Sequence, residues 1–143
     1  MRYLFIIIVV LFSIPIVASS EINNSEWVKK VKSINANTLH SSLPEVSYEE
    51  WFTGFVGKSI KVVWEVNDCG EQDGTGEQKD FPVCVEAQAE LSKEKKLAIS
   101  VVLGTYKKGI SGVPKIWMIY VYDNGKYRIL KNIDEAKKYL ENK

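Results

Sequence analysis

The chain has 143 residues, of which 45% are hydrophobic and 26% charged, and its formal net charge is +1. This length suits one globular domain with its own core. A net charge near zero gives no general attraction for polyanions, and the basic residues are not interleaved with aromatic ones as in nucleic-acid binders. We therefore expect no nucleic-acid partner.

The N-terminal segment has the pattern of an export signal. A basic start at Arg2 precedes the uncharged apolar run 3–17, and small residues follow at 18–20. The run is shorter than the roughly 20 residues that a membrane-spanning helix needs. We expect residues 1–20 to be a signal peptide and residues 21–143 a single domain, without a membrane segment after cleavage, in the periplasm or outside the cell.

After a polar start at residues 21–24, the first element of the mature chain is a predicted helix. Ser25 can cap it, and Trp27, Val31 and Ile34 follow at helical spacing. Residues 35–44, rich in Asn and Ser, are expected to form a linker without regular structure.

A second helix is predicted with both of its ends. Ser47 and Glu50 have the spacing of a capping box, and Gly57 suits the C-terminal stop. Between them runs an apolar stripe of helical period, formed by Tyr48, Trp51, Phe52, Phe55 and Val56.

After Gly57 the apolar period changes from helical to two-fold, which is typical of strands. Asn124-Gly125 favours a type I′ hairpin turn, and Asn132 or Asp134 can cap a last short helix. The predicted strands are 59–68, 81–91, 97–106, 115–122 and 126–130.

This order predicts an α+β domain. Two N-terminal helices should pack on the apolar face of a four- to five-stranded antiparallel meander sheet, with a short C-terminal helix. The element order over residues 25–131 resembles that of cystatin-like and nuclear-transport-factor-2-like folds. The helix-helix-sheet order is also similar to one repeat of the β-lactamase inhibitor proteins. These resemblances imply a fold and no particular function.

Cys69 and Cys84 are the two cysteines of the chain, and they flank one predicted hairpin. By strand alternation both belong to its polar side, with Glu65 and Glu86. We expect a disulfide on the wetted face of the sheet, in an oxidising compartment. Closing a loop of about 15 residues is worth ~3 kcal/mol.

Charge is unevenly distributed. Residues 65–94 hold nine acidic residues and two lysines, whereas residues 95–143 hold eleven basic and four acidic ones. In a meander the acidic first loop (70–80) and the basic, glycine-rich third loop (107–114) emerge at the same end. We expect a binding surface there, unless the loops merely dock on each other through exposed ion pairs. Its candidate residues are Asp73, Glu77, Lys107, Lys108 and Ile110.

The polar face of the sheet offers a second candidate surface. Ala98, Ser100, Val102 and Gly104 form a strip of mostly small residues, edged by Tyr106, Tyr120 and Tyr122. Strand 115–122 is apolar on both sides, so its outer side should be covered. We expect the last helix to cover it, with a partner chain or a ligand as alternatives.

Few residues of the chain suit catalysis or metal binding, and we predict no catalytic residue, metal site or cofactor. The single histidine, His40, lies in the linker, and the acidic loop lacks the spacing of a calcium-binding EF-hand. Its glycines lack the strand-to-helix setting of a phosphate loop. Glu65 and Glu86 should pair across strands as a solvated surface rather than as an acid–base pair.

The sequence therefore favours a non-catalytic exported domain that binds another protein or a small ligand. One alternative is an inhibitor of a secreted or periplasmic enzyme, which would insert a protruding loop into an active site. Another is a small enzyme or carrier with a pocket lined by Trp51, Phe55 and Trp64, although a solid core is expected there.

Overall fold

The computed structural model describes residues 24–69, 82–105 and 108–142. Helical segments come first, then the sheet, then a last helix. In chain order the elements are α1 (Asn24–Ser33), α2 (Ala36–Leu39), α3 (Tyr48–Val56), β1 (Lys61–Asp68), β2 (Pro82–Glu90), β3 (Lys95–Thr105), β4 (Gly109–Asp123), β5 (Lys126–Leu130) and α4 (Ile133–Glu141).

The strands form one antiparallel sheet in which each strand pairs with its neighbours in the sequence, in the order β1-β2-β3-β4-β5. The inner face, which carries Val85, Ile99 and Val121, shares a buried core with the helices. The outer face carries the opposite parity, including Glu86 and Ser100. The predicted α+β meander with a short C-terminal helix is confirmed.

The ends of α3 follow the sequence signals closely, whereas Ser25, predicted to cap the first helix, lies inside α1. Ser47 Oγ accepts a hydrogen bond from the backbone N–H of Glu50 at 3.2 Å, and Gly57 ends α3 with φ 108°. The linker prediction missed α2, which Asn35 caps by accepting from the N–H of Asn37 at 3.0 Å. Because α2 has only four residues, its sequence shows no helical period of apolar residues from which it could be predicted.

Aromatic rings fill the space between α3 and β1. Tyr48 lies with its ring centroid 5.6 Å from Trp51 and 5.7 Å from Trp64, and Trp51 stacks on Phe55 at 5.1 Å. The Tyr48 hydroxyl donates to the carbonyl of Ile99 at 3.4 Å, and burial raises the pKa of Tyr48 far above its usual range. This packing gives no support to a pocket among Trp51, Phe55 and Trp64.

The last helix packs on the inner face, with the other helices. Ala136 belongs to the same buried core as Val121 and Leu130, and Arg128 lies over the ring of Tyr139 at 5.9 Å from its centroid. The expectation that this helix covers the outer side of β4 is wrong. Leu130 ends β5 pointing inward and α4 begins three residues later, so the helix continues on the inner side.

Cys69 and Cys84 form the predicted disulfide, with their Cα atoms 5.5 Å apart. Both cysteines are buried, however, so the expected wetted position is wrong. Cys84 lies in an interior strand between Asn67 of β1 and Val102 of β3, and strand alternation predicts the face of a side chain but not its exposure.

The connection between β3 and β4 is much shorter than predicted, because β4 begins at Gly109 rather than at 115. The register is irregular there: Val102 lies opposite Lys115, and Gly104 opposite Ile110. Gly109 and Gly112 adopt positive φ. Glycines that suggested a loop therefore accommodate an irregular strand.

Candidate functional site

The first and third connections of the meander leave the sheet at the same end, as predicted. Asp68 lies opposite Val83, and Pro82 lies opposite Thr105. Of the candidate residues there, Asp73, Glu77 and Lys107 lie outside the described residues. Lys108 is exposed, and its N–H donates to Thr105 Oγ1 at 3.1 Å. Ile110 is exposed too, but it lies within β4 rather than in a loop.

Beyond Ile110, β4 continues with exposed apolar side chains. Val113 is 78% exposed and Trp117 is 45% exposed. β5 pairs only with the far part of β4, from Ile119 to Asp123. Within the described part of the chain, residues 109–118 thus have a ladder partner on one side only, β3, and we call their other side the free edge of β4.

The outer face of the sheet holds a buried carboxylate, Glu86, of which 6% is exposed. It accepts hydrogen bonds from Ser100 Oγ at 2.9 Å, from the Tyr120 hydroxyl at 2.7 Å and from the Gln88 amide at 2.6 Å. The Gln88 amide also donates to Glu65 at 3.1 Å. Among the residues that the structure describes, no lysine or arginine forms an ion pair with Glu86.

Residue size explains this burial. Glu86 lies between Glu65 and Ser100 in cross-strand register, and Ala98 lies opposite Tyr120 one row away. Because Ala98 and Ser100 are small, Tyr120 reaches over β3 and covers the carboxylate. Burial and the hydrogen bond to Glu86 raise the pKa of Tyr120 well above its usual range. The expectation of a solvated carboxylate pair holds for exposed Glu65 and is wrong for Glu86.

A cavity of about 460 Å³ opens beside this cluster, and we call it the tyrosine cavity. Tyr120, Tyr122 and Tyr127 line one side, with the Tyr127 ring centroid 5.6 Å from that of Tyr120 and 4.9 Å from that of Tyr122. Tyr127 is 72% exposed. Two of these rings belong to the predicted aromatic edge. Tyr127 was missed, although its place next to the Asn124-Gly125 turn puts it opposite Tyr122.

The rest of the tyrosine cavity is polar and carries both signs of charge. Glu65 and Gln88 line one part, and Lys93 and Lys96 line another, with Ala98 completing the lining. Lys96 lies opposite Tyr122, whereas Glu65 lies in the register of Glu86 and Ser100, four residues further along β3.

A larger open groove of about 850 Å³ runs between α1 and β1. On its wall Lys32 Nζ pairs with Glu49 at 2.7 Å and lies 5.3 Å from the Trp64 ring centroid. Of the three aromatic residues expected to line an enzyme or carrier pocket, only Trp64 contributes to this groove.

Residues 24–69, 82–105 and 108–142 offer neither a metal-binding cluster nor a membrane-spanning helix. No group of three or more His, Cys, Asp and Glu side chains there could hold a metal ion. His40 is exposed, with Nδ1 2.7 Å from Ser42 Oγ. In the same part of the chain no helix has the length and apolar character needed to cross a bilayer.

Comparison with protein families, with curated proteins and with solved structures gives no match to this chain. The likeness to cystatin-like and related folds thus depends on element order alone.

Proposed function

We propose that this chain is a non-catalytic binding domain that works in the periplasm or outside the cell. Two observations support the compartment: the export-type pattern of residues 1–20 and the disulfide between Cys69 and Cys84, which is compatible with an oxidising environment.

The free edge of β4 is the surface that we propose for recognition. The observation that carries this proposal is that, among the described strands, residues 109–118 pair with β3 alone, while Val113 and Trp117 are exposed along them. Such an edge can accept an additional strand from another protein, through main-chain hydrogen bonds and side-chain contacts.

Charge indicates which strand would fit. Lys108 and Lys115 are exposed at this edge, and residues 108–118 contain no acidic residue. We therefore propose that the partner is a protein whose extended segment carries apolar and acidic side chains. Charge complementarity of this kind favours the correct partner and speeds its association.

Site-specific photocrosslinking in the exported protein tests this proposal. A crosslinking residue at position 113 or 117 should capture one partner protein, through a segment that contains acidic residues. The matched control is position 129, since Ile129 is equally apolar and exposed but lies on β5. Lys108→Glu with Lys115→Glu should abolish capture at 113. Equal capture at 113 and 129, or capture that survives the charge reversals, would overturn the proposal.

A further inference from the structure

The tyrosine cavity lies at the other end of the outer face from Gly109, where β3 begins and β4 ends, and it does not depend on strand addition at β4. Its polar groups are held in place rather than free. Glu86, buried next to it, accepts from both Gln88 and Tyr120, so two lining side chains have fixed orientations. A preorganised polar wall reduces the ordering cost of binding a ligand.

Charge is separated along the tyrosine cavity. Lys96 belongs to the cross-strand row that contains Glu90 and Tyr122, and exposed Lys93 lies beyond it. Glu65 belongs to the row of Ser100. Four residues of strand separate the two rows, which is roughly 13 Å at about 3.3 Å per residue. One part of the cavity is therefore basic and the other acidic.

The aromatic wall lies along this charge gradient. Tyr122 and Tyr127 belong to the row of Lys96, and Tyr120 belongs to the row between the two charged ends. Tyrosine rings offer apolar faces for a side chain and attract cations. A simple anion would meet Glu65, and a simple cation would meet two lysines, so neither matches the whole cavity.

We propose that the tyrosine cavity binds a short zwitterionic ligand of the class of small peptides. Its ammonium group lies at Glu65, its carboxylate lies at Lys93 and Lys96, and its side chain packs on the tyrosine rings. Glu65 and Lys96 are also two strands apart, which adds a lateral separation of roughly 10 Å at about 4.8 Å per strand, so their Cα atoms lie roughly 16 Å apart. Side chains reaching toward each other shorten this to about 10 Å, which an extended tripeptide spans. The cavity volume of about 460 Å³ suits a ligand of that size.

Calorimetric titration with the tripeptide Ala-Phe-Ala tests this proposal. The free peptide should bind, and N-acetylation or C-amidation should each weaken binding about fivefold, as expected for the loss of one exposed ion pair. Binding should also weaken at 1 M salt. The ring signals of Tyr127 in the NMR spectrum should shift on titration.

Variants of the charged lining residues test which of them binds each end of the peptide. Glu65→Gln should weaken the free peptide about fivefold and leave the N-acetylated peptide unchanged. Lys93→Gln with Lys96→Gln should weaken the free peptide and leave the amidated one unchanged. Glu45→Gln, and Lys131→Gln combined with Lys137→Gln, make the same charge changes at exposed positions outside the cavity and should alter neither affinity.

Three results would overturn the proposal. The first is equal affinity for free and doubly blocked peptide, and the second is no saturation by about 10 mM peptide. The third is binding of a neutral trisaccharide such as maltotriose, with Tyr127 shifts, where the peptide gives none.

Discussion

Tyr120 and Glu86 are hydrogen-bonded at 2.7 Å although a whole strand, β3, lies between them. The contact is possible because Ala98 and Ser100 leave room above β3, and Ser100 donates to the same carboxylate. Polar side chains from three strands, β2, β3 and β4, are thereby joined by hydrogen bonds on the face opposite the described helices. Removing a buried carboxylate that accepts from several donors lowers the free energy of unfolding, because each of those donors is left without a partner.

Replacing Glu86 by Gln should lower the pKa of Tyr120. Burial is the largest cause of the raised pKa of Tyr120, and the hydrogen bond and negative charge of Glu86 raise it further. In Glu86→Gln the pKa should therefore fall without reaching the usual value of tyrosine. The measurement is an NMR titration of the tyrosine ring carbons, with Tyr120→Phe to assign the signal.

Glu90→Gln is the matched control, since Glu90 lies on the same strand and face but pairs with Lys61 at 2.9 Å. It should leave the pKa of Tyr120 where it was. An unchanged Tyr120 titration in Glu86→Gln would contradict the coupling.

Alkaline pH should destabilise the domain through one buried and one half-buried tyrosine. Tyr48 and Tyr120 have raised pKa values in the folded state, whereas unfolded tyrosine ionises near pH 10. Their contribution is therefore fully present below about pH 10 and is lost as the pH rises above it. Urea denaturation from pH 7 to 11 should show a falling free energy of unfolding above about pH 10. The decline should be shallower in Tyr48→Phe with Tyr120→Phe, and an equal decline in both proteins would contradict this origin.

Removing the disulfide should cost about 3 kcal/mol of unfolding free energy, because the unfolded chain regains the freedom of a loop of about 15 residues. Cys69→Ala with Cys84→Ala is the suitable variant, since both positions are buried and serine would add an unpaired hydroxyl. Urea denaturation of oxidised protein, reduced protein and variant gives the comparison. A reductant should lower the midpoint of the natural chain and leave that of the variant unchanged, whereas an unaffected natural chain would refute the estimate.

Two glycines should respond in opposite ways to alanine. A Cβ at Gly104 would collide with the backbone carbonyl of Gly109, so Gly104→Ala should lower the free energy of unfolding by at least ~2 kcal/mol. Gly54 lies exposed inside α3 with nothing within 4 Å of an added Cβ, so Gly54→Ala should raise it by ~0.5–1 kcal/mol. Thermal and urea unfolding measure both. If Gly104→Ala and Gly54→Ala changed the free energy of unfolding alike, the close approach of Gly104 to Gly109 in the irregular β3–β4 pairing could not be the cause of the predicted loss.

The sequence was most informative where a local rule determines the structure. Ser47 and Gly57 marked the ends of α3, and Asn124 and Gly125 take the positive φ values of the predicted turn, 49° and 82°. The two cysteines implied their own pairing. Each of these features depends on a few neighbouring residues, so a single sequence is enough to predict it.

The sequence was least informative about what packs across strands. Alternation placed Glu86 and Cys84 on the polar side, but their burial depends on which residues lie beside them on β3 and β4. For Cys84, the β3–β4 register beside it is shifted beyond Ser100 and again beyond Val102, where irregular pairing breaks the simple count. Glu86 lies in the regular part of the sheet, and its burial depends on the small size of Ala98 and Ser100 and on the reach of Tyr120. The side on which α4 packs likewise depends on where β5 ends, and periodicity carries no information about that.

The meander order of the sheet has a consequence for how the domain forms. Because every strand pairs with the strands next to it in the chain, each pairing closes only a hairpin loop, for which the entropic cost is small. The N-terminal helices, by contrast, precede in the chain every strand on which they can pack. The sheet can therefore form one hairpin at a time. The apolar faces of the helices stay exposed to solvent until β2 and β3 provide the surface that buries Trp27 and Tyr48.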